Sequence, residues 1–494
     1  MFKVGCNKNK HQNRIYSRFI TFVLSALLIL MLLIVRGTYK QLSENKDNFG
    51  SVDIIFLFVS VTSLLIIYLL RKKIIPTKIF VGIVFGIGLL IRICYSLSIK
   101  SIPISDFAIM YETADNVLSG DFSKFWGIGY IARFPHITIP TMYFACIKAI
   151  FPEPLIMIKI FNALASSSNI IIMYLLIKEL FNDKFKALVA CILTVYFPPL
   201  ILYTAVYTTE NIAIPLYLFG IYLFILYCNG KKGIKILFLS ASIISIANMF
   251  RMVGQIIIVA MLLYLLICYN EKAKKKFISI IIVVVGFIVP LMGTSFALHY
   301  GGIIEYQLWR GSEPSATNIV KGLNIEYEGR WNPEDAAIPE IYNFDYAKIE
   351  EACNEIICER LSTTPKGVLF DFFKHKFISQ WSQGDFAGSY WAEHSLEDKS
   401  IGLKVSENGI WFSQGYLFVI LSLSYIGLFN IKTIKENRCI TLFYFIFCGY
   451  GILYLISENQ ARYGFVVSWV FIIMAITGID LLQKIKEGVK DGGI

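Results

Sequence analysis

Apolar runs of about 17 or more residues recur along this chain, and that feature decides its class. A run of this length coils into a helix that spans the hydrocarbon of a bilayer. The runs lie near 19–35, 54–70, 79–99, 156–178, 186–205, 211–228, 235–250, 254–269, 277–297, 411–429, 439–456 and 465–483. They predict an all-α polytopic membrane protein of about 12 transmembrane helices, with juxtamembrane helices and one large extracytoplasmic loop. Only 16% of the residues are charged, where a soluble chain carries about a quarter. The net charge of +11 therefore does not point to nucleic acid, because surplus Lys and Arg in membrane proteins mark cytoplasmic loops.

Charge also sets the orientation. The N-tail, "RKKIIPTK", "KELFNDKFK", "NGKKGIK", "NEKAKKK", "IKTIKENR" and the C-tail hold about 25 Lys and Arg, against about 5 in the four short loops opposite. Both termini are expected in the cytoplasm of a multi-pass cell-membrane protein. The basic N-terminus lacks a small-residue cleavage site after Val35, so its apolar run reads as a retained span. "HITIPTMYFACIKAIF", 136–151, is apolar enough to cross, but it is short and contains Pro140. It reads as a helix in the outer interface. The chain then divides into 1–70, a cytoplasmic tail and two spans; 71–297, a transmembrane core with a first outer loop at 100–155; 298–410, the long outer region; and 411–494, three spans and a tail. The long region holds about 18 of the 35 acids, so acids collect outside while bases collect inside. Within it "KGVLFDFFKHKFISQW" reads as an amphipathic surface helix. Cys353 and Cys358 share this region, which leaves a disulfide open.

The stretch "SIPISDFAIMYETADNVLSGDF" follows the third span and carries Asp106, Glu112, Asp115 and Asp121. Asp106 opens a helical pattern, so it is either an N-cap or, with Ser105 capping, free for other work. Asp115 and Asp121 read as solvated or turn residues. Arg133 and His136 flank "FP" where the chain returns to the membrane surface. Such groups bind phosphate or snorkel to lipid headgroups. Glu210 is the one charge in the outer loop "YTAVYTTENIAIP", where an acid either faces a cavity or starts the next helix. Glu458 and Arg462 in "SENQARYGF" are four apart, and would pair with each other on a helix. Alternatively, Arg462 grips an anion through its planar fork. Arg251 sits at another outer turn, and Arg92, two turns below the end of its span, is expected to snorkel outward. The five histidines form no H-x-x-x-H, and no G-x-x-x-x-G-K-[ST] occurs, so neither a dedicated zinc site nor nucleotide-driven transport is indicated.

In this order, Arg92, "SDFAIMYETADNVLSG", "RFPHITIP", "PPLILYTAVYTTEN", "MFRMVG" and "ENQARYGF" resemble the C-type glycosyltransferases, in the protein mannosyltransferase and aminoarabinose transferase branch. "KGLNIEYEGRWNPED" and "TTPKGVLFDFFKHKF" look like segments of bacterial members. Two departures stand out. The acidic loop follows the third span, where the family often has it after the first; the added pair at 19–70 preserves its side. No second acid adjoins Asp106.

The resemblance implies transfer of a sugar from a polyprenyl-phosphate carrier to an extracytoplasmic glycan, lipid or protein, with inversion. It implies Asp106 as the general base. Arg462 would bind the donor phosphate, with Arg133, Arg251 and His136 as further phosphate ligands. Glu210 and Glu458 would position the acceptor or a cation; no cofactor is certain, and a divalent cation stays open. Trp309, Trp331, Trp381 and Trp391 are candidate sugar-stacking faces or interface anchors. An envelope polysaccharide polymerase or ligase is the alternative within the enzymes, and a lipid or solute transporter the alternative outside them.

Overall fold

The computed structural model describes residues 3–72, 76–394 and 404–491. Parts of the expected basic loop at 71–78, of the long outer region and of the C-tail lie outside them. Among the described residues every regular element is helical. The first three helices are α1 (Lys3–Glu44), α2 (Ser51–Lys72) and α3 (Thr77–Ser98). Three short ones follow, α4 (Asp106–Leu118), α5 (Tyr130–Arg133) and α6 (Thr138–Ile150). The core then builds from α7 (Pro154–Phe181), α8 (Lys184–Val195), α9 (Pro198–Leu202), α10 (Glu210–Cys228), α11 (Ile234–Phe250), α12 (Gln255–Leu263) and α13 (Ala273–Tyr300).

The long region contributes α14 (Ala316–Gly322), α15 (Pro333–Ala336), α16 (Ile338–Ile341), α17 (Tyr346–Thr363), α18 (Lys366–Trp381), α19 (Gly388–His394) and α20 (Val405–Asn408). The chain closes with α21 (Ile410–Gly427), α22 (Ile431–Glu436), α23 (Thr441–Ile456), α24 (Ala461–Phe465) and α25 (Val470–Asp491). Seven helices are long and apolar enough to cross a membrane, or eight if the bent pair α8–α9 counts as one. Of the twelve runs expected to span, those of α11 and α12 form shorter apolar helices. α12 continues through a π-helical turn at Tyr264–Cys268.

Polar contacts define two ends of the bundle. At one, Tyr16 Oη donates to Ile434 O at 3.1 Å, Lys186 pairs with Asp480 at 2.6 Å, and Arg438 donates to Cys268 O at 3.0 Å. At the other, Gln41 donates to Ser382 Oγ at 2.9 Å, Ser101 to Ala205 O at 2.6 Å, and Thr209 to Phe250 O at 2.6 Å. The first end collects the lysine-rich turns, and the second collects α4, α6 and the long region. α6 packs along α4, and its Lys148, near its end, pairs with Asp115 of α4 at 2.7 Å. Both of its ends therefore stay at the second end of the bundle.

Arg92 corrects the sequence reading. It does not snorkel; it is fully buried. The cause lies about a hundred residues on, in Pro198 and Pro199. In a continuous helix the carbonyls of Thr194 and Val195 would accept from the N–H groups of residues 198 and 199. Proline has none. The helix breaks there, and α9 leaves α8 at 56°. Arg92 supplies the missing donors, Nη2 to Thr194 O at 2.9 Å and Nη1 to Val195 O at 3.2 Å. Its Nε reaches Leu200 O and Ser166 Oγ, both at 3.1 Å, and Nη1 also reaches Gly88 O. Gly88 permits the close approach, because a Cβ there would lie 2.3 Å from Ile170 Cδ1.

Two other expectations change. Cys353 and Cys358 are both free, and they lie five residues apart on the single helix α17, one buried and one exposed. That spacing turns the side chains to different faces. Trp381 is no surface ring; it is fully buried among Phe447, Tyr454 and Phe471.

Arg92→Met should remove every one of these donors and cost on the order of 3–5 kcal/mol, the usual penalty for breaking a buried charged network. Arg92→Lys should rescue only in part, since an ammonium has three N–H groups for five acceptors. Thermal unfolding in detergent measures both. Wild-type stability in either variant would refute the account.

Candidate active site

Asp106 is the first residue of α4, and Ser105 stands at the N-cap position without making a side-chain cap bond. Ser105 has φ +53° and ψ −134°, a conformation that costs a non-glycine residue about 1–3 kcal/mol. The Asp106 carboxylate does not cap the helix. Its Oδ1 accepts from Tyr130 Oη at 2.5 Å, and its Oδ2 lies 3.9 Å from Arg462 Nη2. Burial and the Asp106 charge raise the Tyr130 phenol well above its ordinary range, so it keeps its proton and donates.

Arg462 does not pair with Glu458, contrary to the pairing that their spacing offers. α24 begins only at Ala461, so Glu458 lies outside the helix and helical spacing does not apply. Glu458 instead accepts from Gln460. The Arg462 guanidinium is framed by rings, with its carbon 5.1 Å from the Phe107 centroid, 4.7 Å from Trp391 and 5.5 Å from Tyr463. Its Nε is buried with no hydrogen-bond partner. A buried guanidinium held by rings and one distant carboxylate can take an anion.

A second pair lies beside it. Arg251, next to the end of α11, approaches Glu210 at 3.3 Å and sits 5.3 Å over the Tyr463 ring. Glu210 opens α10 and accepts from the Thr208 hydroxyl. Tyr463 is thus flanked by both guanidiniums. His136 sits among these charges. Burial and then the Arg251 charge push it down to about 4, against the weaker pull of Asp106. At neutral pH it offers a hydrogen bond and no charge. Arg133 is committed elsewhere, with Nε and Nη2 at 2.8 and 2.6 Å from the Glu313 carboxylate. That pair ties α5 to the long region.

The structure therefore brings Asp106, Arg462, Arg251, Glu210 and His136 together, and leaves Arg133 and Glu458 with their own partners. Tyr130 was missed: it stands 24 residues from Asp106, and no spacing rule links them. Of the four tryptophans, only Trp391 touches the Arg462 group, while Trp309 and Trp331 are exposed. Among the described residues no three His, Cys, Asp or Glu gather closely enough to hold a metal ion. Asp106 faces a phenol and a guanidinium, a setting that does not fit a divalent cation.

Residues 140–292 match the model of the family described as dolichyl-phosphate-mannose-protein mannosyltransferase. The match bears out the resemblance to the C-type glycosyltransferases, and the family segment includes Glu210 and Arg251. No curated protein sequence matches the chain. Among solved structures it is similar to the oligosaccharyltransferase AglB from Archaeoglobus fulgidus, in complex with an inhibitory peptide and a dolichol-phosphate, at 12% identity and a TM-score of 0.49 over 84% of this chain. The apo oligosaccharyltransferase of Archaeoglobus fulgidus gives 11% identity and a TM-score of 0.43 over 83%. The chain spans about half the length of these archaeal proteins, 52% in each case.

The His136 shift has a testable sign. The unfolded chain protonates near 6.5 and the folded site near 4, so the folded state binds fewer protons between those values. Its contribution to stability is complete above about pH 6.5 and fades as pH falls toward 4. His136→Gln should flatten the decline of unfolding temperature across that window. An unchanged slope would show that His136 titrates normally.

Proposed function

We propose that this chain is a membrane glycosyltransferase that takes a sugar from a polyprenyl-phosphate carrier and passes it to an extracytoplasmic hydroxyl on a glycan, lipid or protein. One observation carries the reading: a carboxylate held by a phenol faces a ring-framed guanidinium with an unpartnered buried N–H. The family match over 140–292 agrees with it.

Asp106 accepts the proton of the acceptor hydroxyl as general base. Tyr130, bonded to Oδ1, orients the carboxylate so that Oδ2 faces the substrate. The hydroxyl oxygen attacks the anomeric carbon as the bond from that carbon to the phosphate oxygen breaks. The phosphate leaves with the electron pair, and Arg462 stabilises its growing charge. Substrate enters between Asp106 and Arg462, whose 3.9 Å contact is longer than a direct hydrogen bond. A single displacement inverts the anomeric centre. Arg251 and His136 extend the phosphate-binding surface, and Glu210 holds Arg251 and borders the acceptor. The site end of the bundle faces out of the cytoplasm, with both termini inside.

Mass spectrometry of envelope glycans with and without the chain tests the activity. Loss of one defined sugar supports it. Movement of labelled lipid by the reconstituted protein, without a new glycosidic bond, would make the chain a transporter.

Asp106→Asn should lower transfer by about 10²–10⁴-fold, the scale of general-base catalysis, with folding kept. Full activity would reduce Asp106 to a helix residue. Arg462→Lys should raise the Michaelis constant for the lipid donor, because the fork is lost while the charge stays; unchanged donor kinetics would take Arg462 out of the site. A reporter fused after Leu298 should read as external and one after Asn270 as internal, and the reverse pattern would invert the proposed orientation.

A further inference from the structure

Arg462 hangs from an unusual piece of chain. Between α23 and α24 the backbone is non-helical over 457–460, so its polar groups have no helix to satisfy them. The long region satisfies them instead. Asn318 of α14 accepts from Glu458 N at 3.2 Å, and Gly329 O accepts from Asn459 N at 2.7 Å. Gln380 of α18 donates to Gln460 O at 2.9 Å, and Asn459 Nδ2 donates to Glu328 O at 3.1 Å.

Lys376 of α18 lies at the root of this segment and is only 1% exposed. Its ammonium donates to Ser457 O at 2.6 Å, to Leu455 O at 2.9 Å and to Gly322 O. Three N–H groups thus meet three carbonyls. Two of them end α23, where carbonyls lack intrahelical donors and the helix dipole favours a cation. The third ends α14. Both backbones are packed against each other, since a Cβ on Gly322 would lie 2.4 Å from Ile456 O. Glu458 is the acid that acts on Lys376. The Lys376 ammonium makes its hydrogen bonds to the Gly322, Leu455 and Ser457 carbonyls, not to Asp106.

We propose that Lys376 is a positioning residue that acts through Arg462: it anchors the end of α23 to the long region and so sets where the guanidinium stands. This rests on the reading of Arg462 as the donor-phosphate group. The long region then serves as the clamp of the site rather than as a separate module.

The test compares affinity for a long-chain polyprenyl monophosphate with affinity for the matching polyprenol, using the full chain in detergent. Lys376→Met keeps the stem and removes all three donors. It should cut the preference for the phosphate by about tenfold, the worth of a charged hydrogen bond, while polyprenol binding stays. In an Arg462→Gln background the same change should cost nothing further. Gln380→Ala, which removes a single bond to the segment, should give a smaller loss in the same direction and serves if Lys376→Met does not fold. Equal losses for phosphate and polyprenol, or additive losses in the double variant, would mean a merely structural lysine and overturn the inference. A wild-type protein with no preference for the phosphate would overturn the Arg462 reading as well, which separates the two failures.

Discussion

A single buried guanidinium allows the core to bend. Pro198 and Pro199 interrupt a helix in the middle of the bundle, and two carbonyls lose their natural donors. In a membrane the cost of leaving them bare is several kcal/mol each. Arg92 answers both from the neighbouring helix α3. Because that repair exists, the chain can turn by 56° at α9 and deliver residues 203–210 to the site. Asn211 Nδ2 then fastens Tyr203 O at 2.8 Å, and Glu210 arrives beside Arg251. The acid of one wall is placed by an arginine that never touches the site.

The site itself is made of charge held by rings. Phe107, Trp391 and Tyr463 hold Arg462 in place without neutralising it, which a second carboxylate would do. Arg251 differs, since Glu210 balances it. Both guanidiniums keep a buried Nε without a hydrogen-bond partner, but Arg251 has the nearer carboxylate, at 3.3 Å against 3.9 Å for Arg462. That asymmetry is why Arg462 carries the proposed phosphate contact and Arg251 a supporting one.

The helical class, the apolar runs and the gathering of bases at one end were readable from composition and periodicity, because burial in lipid leaves a long, strong pattern. Asp106 stood open in the sequence as a helix cap or a free acid, and the structure shows that it does not cap α4 but accepts from Tyr130. What the spacing hid were partnerships at long range. Glu458 and Arg462 look like a helical pair until one knows that the helix starts between them. Arg92 looks like a snorkelling residue until the two prolines, 106 and 107 positions later, are brought beside it. Tyr130, Glu313 and Lys376 carry no local signal at all, since each takes its meaning from a partner that tertiary packing supplies.

The Arg92 repair also bears on how the chain enters the membrane. α3 is synthesised about a hundred residues before Thr194 and Val195 exist to receive its charge. Through that interval the nascent helix carries an arginine whose insertion alone costs about 2.5–3.5 kcal/mol. Only Gly88 O, in the same helix, is available from the start. Lateral release of α3 alone therefore carries a cost that falls once α8 and α9 have emerged, which favours joint entry of these elements.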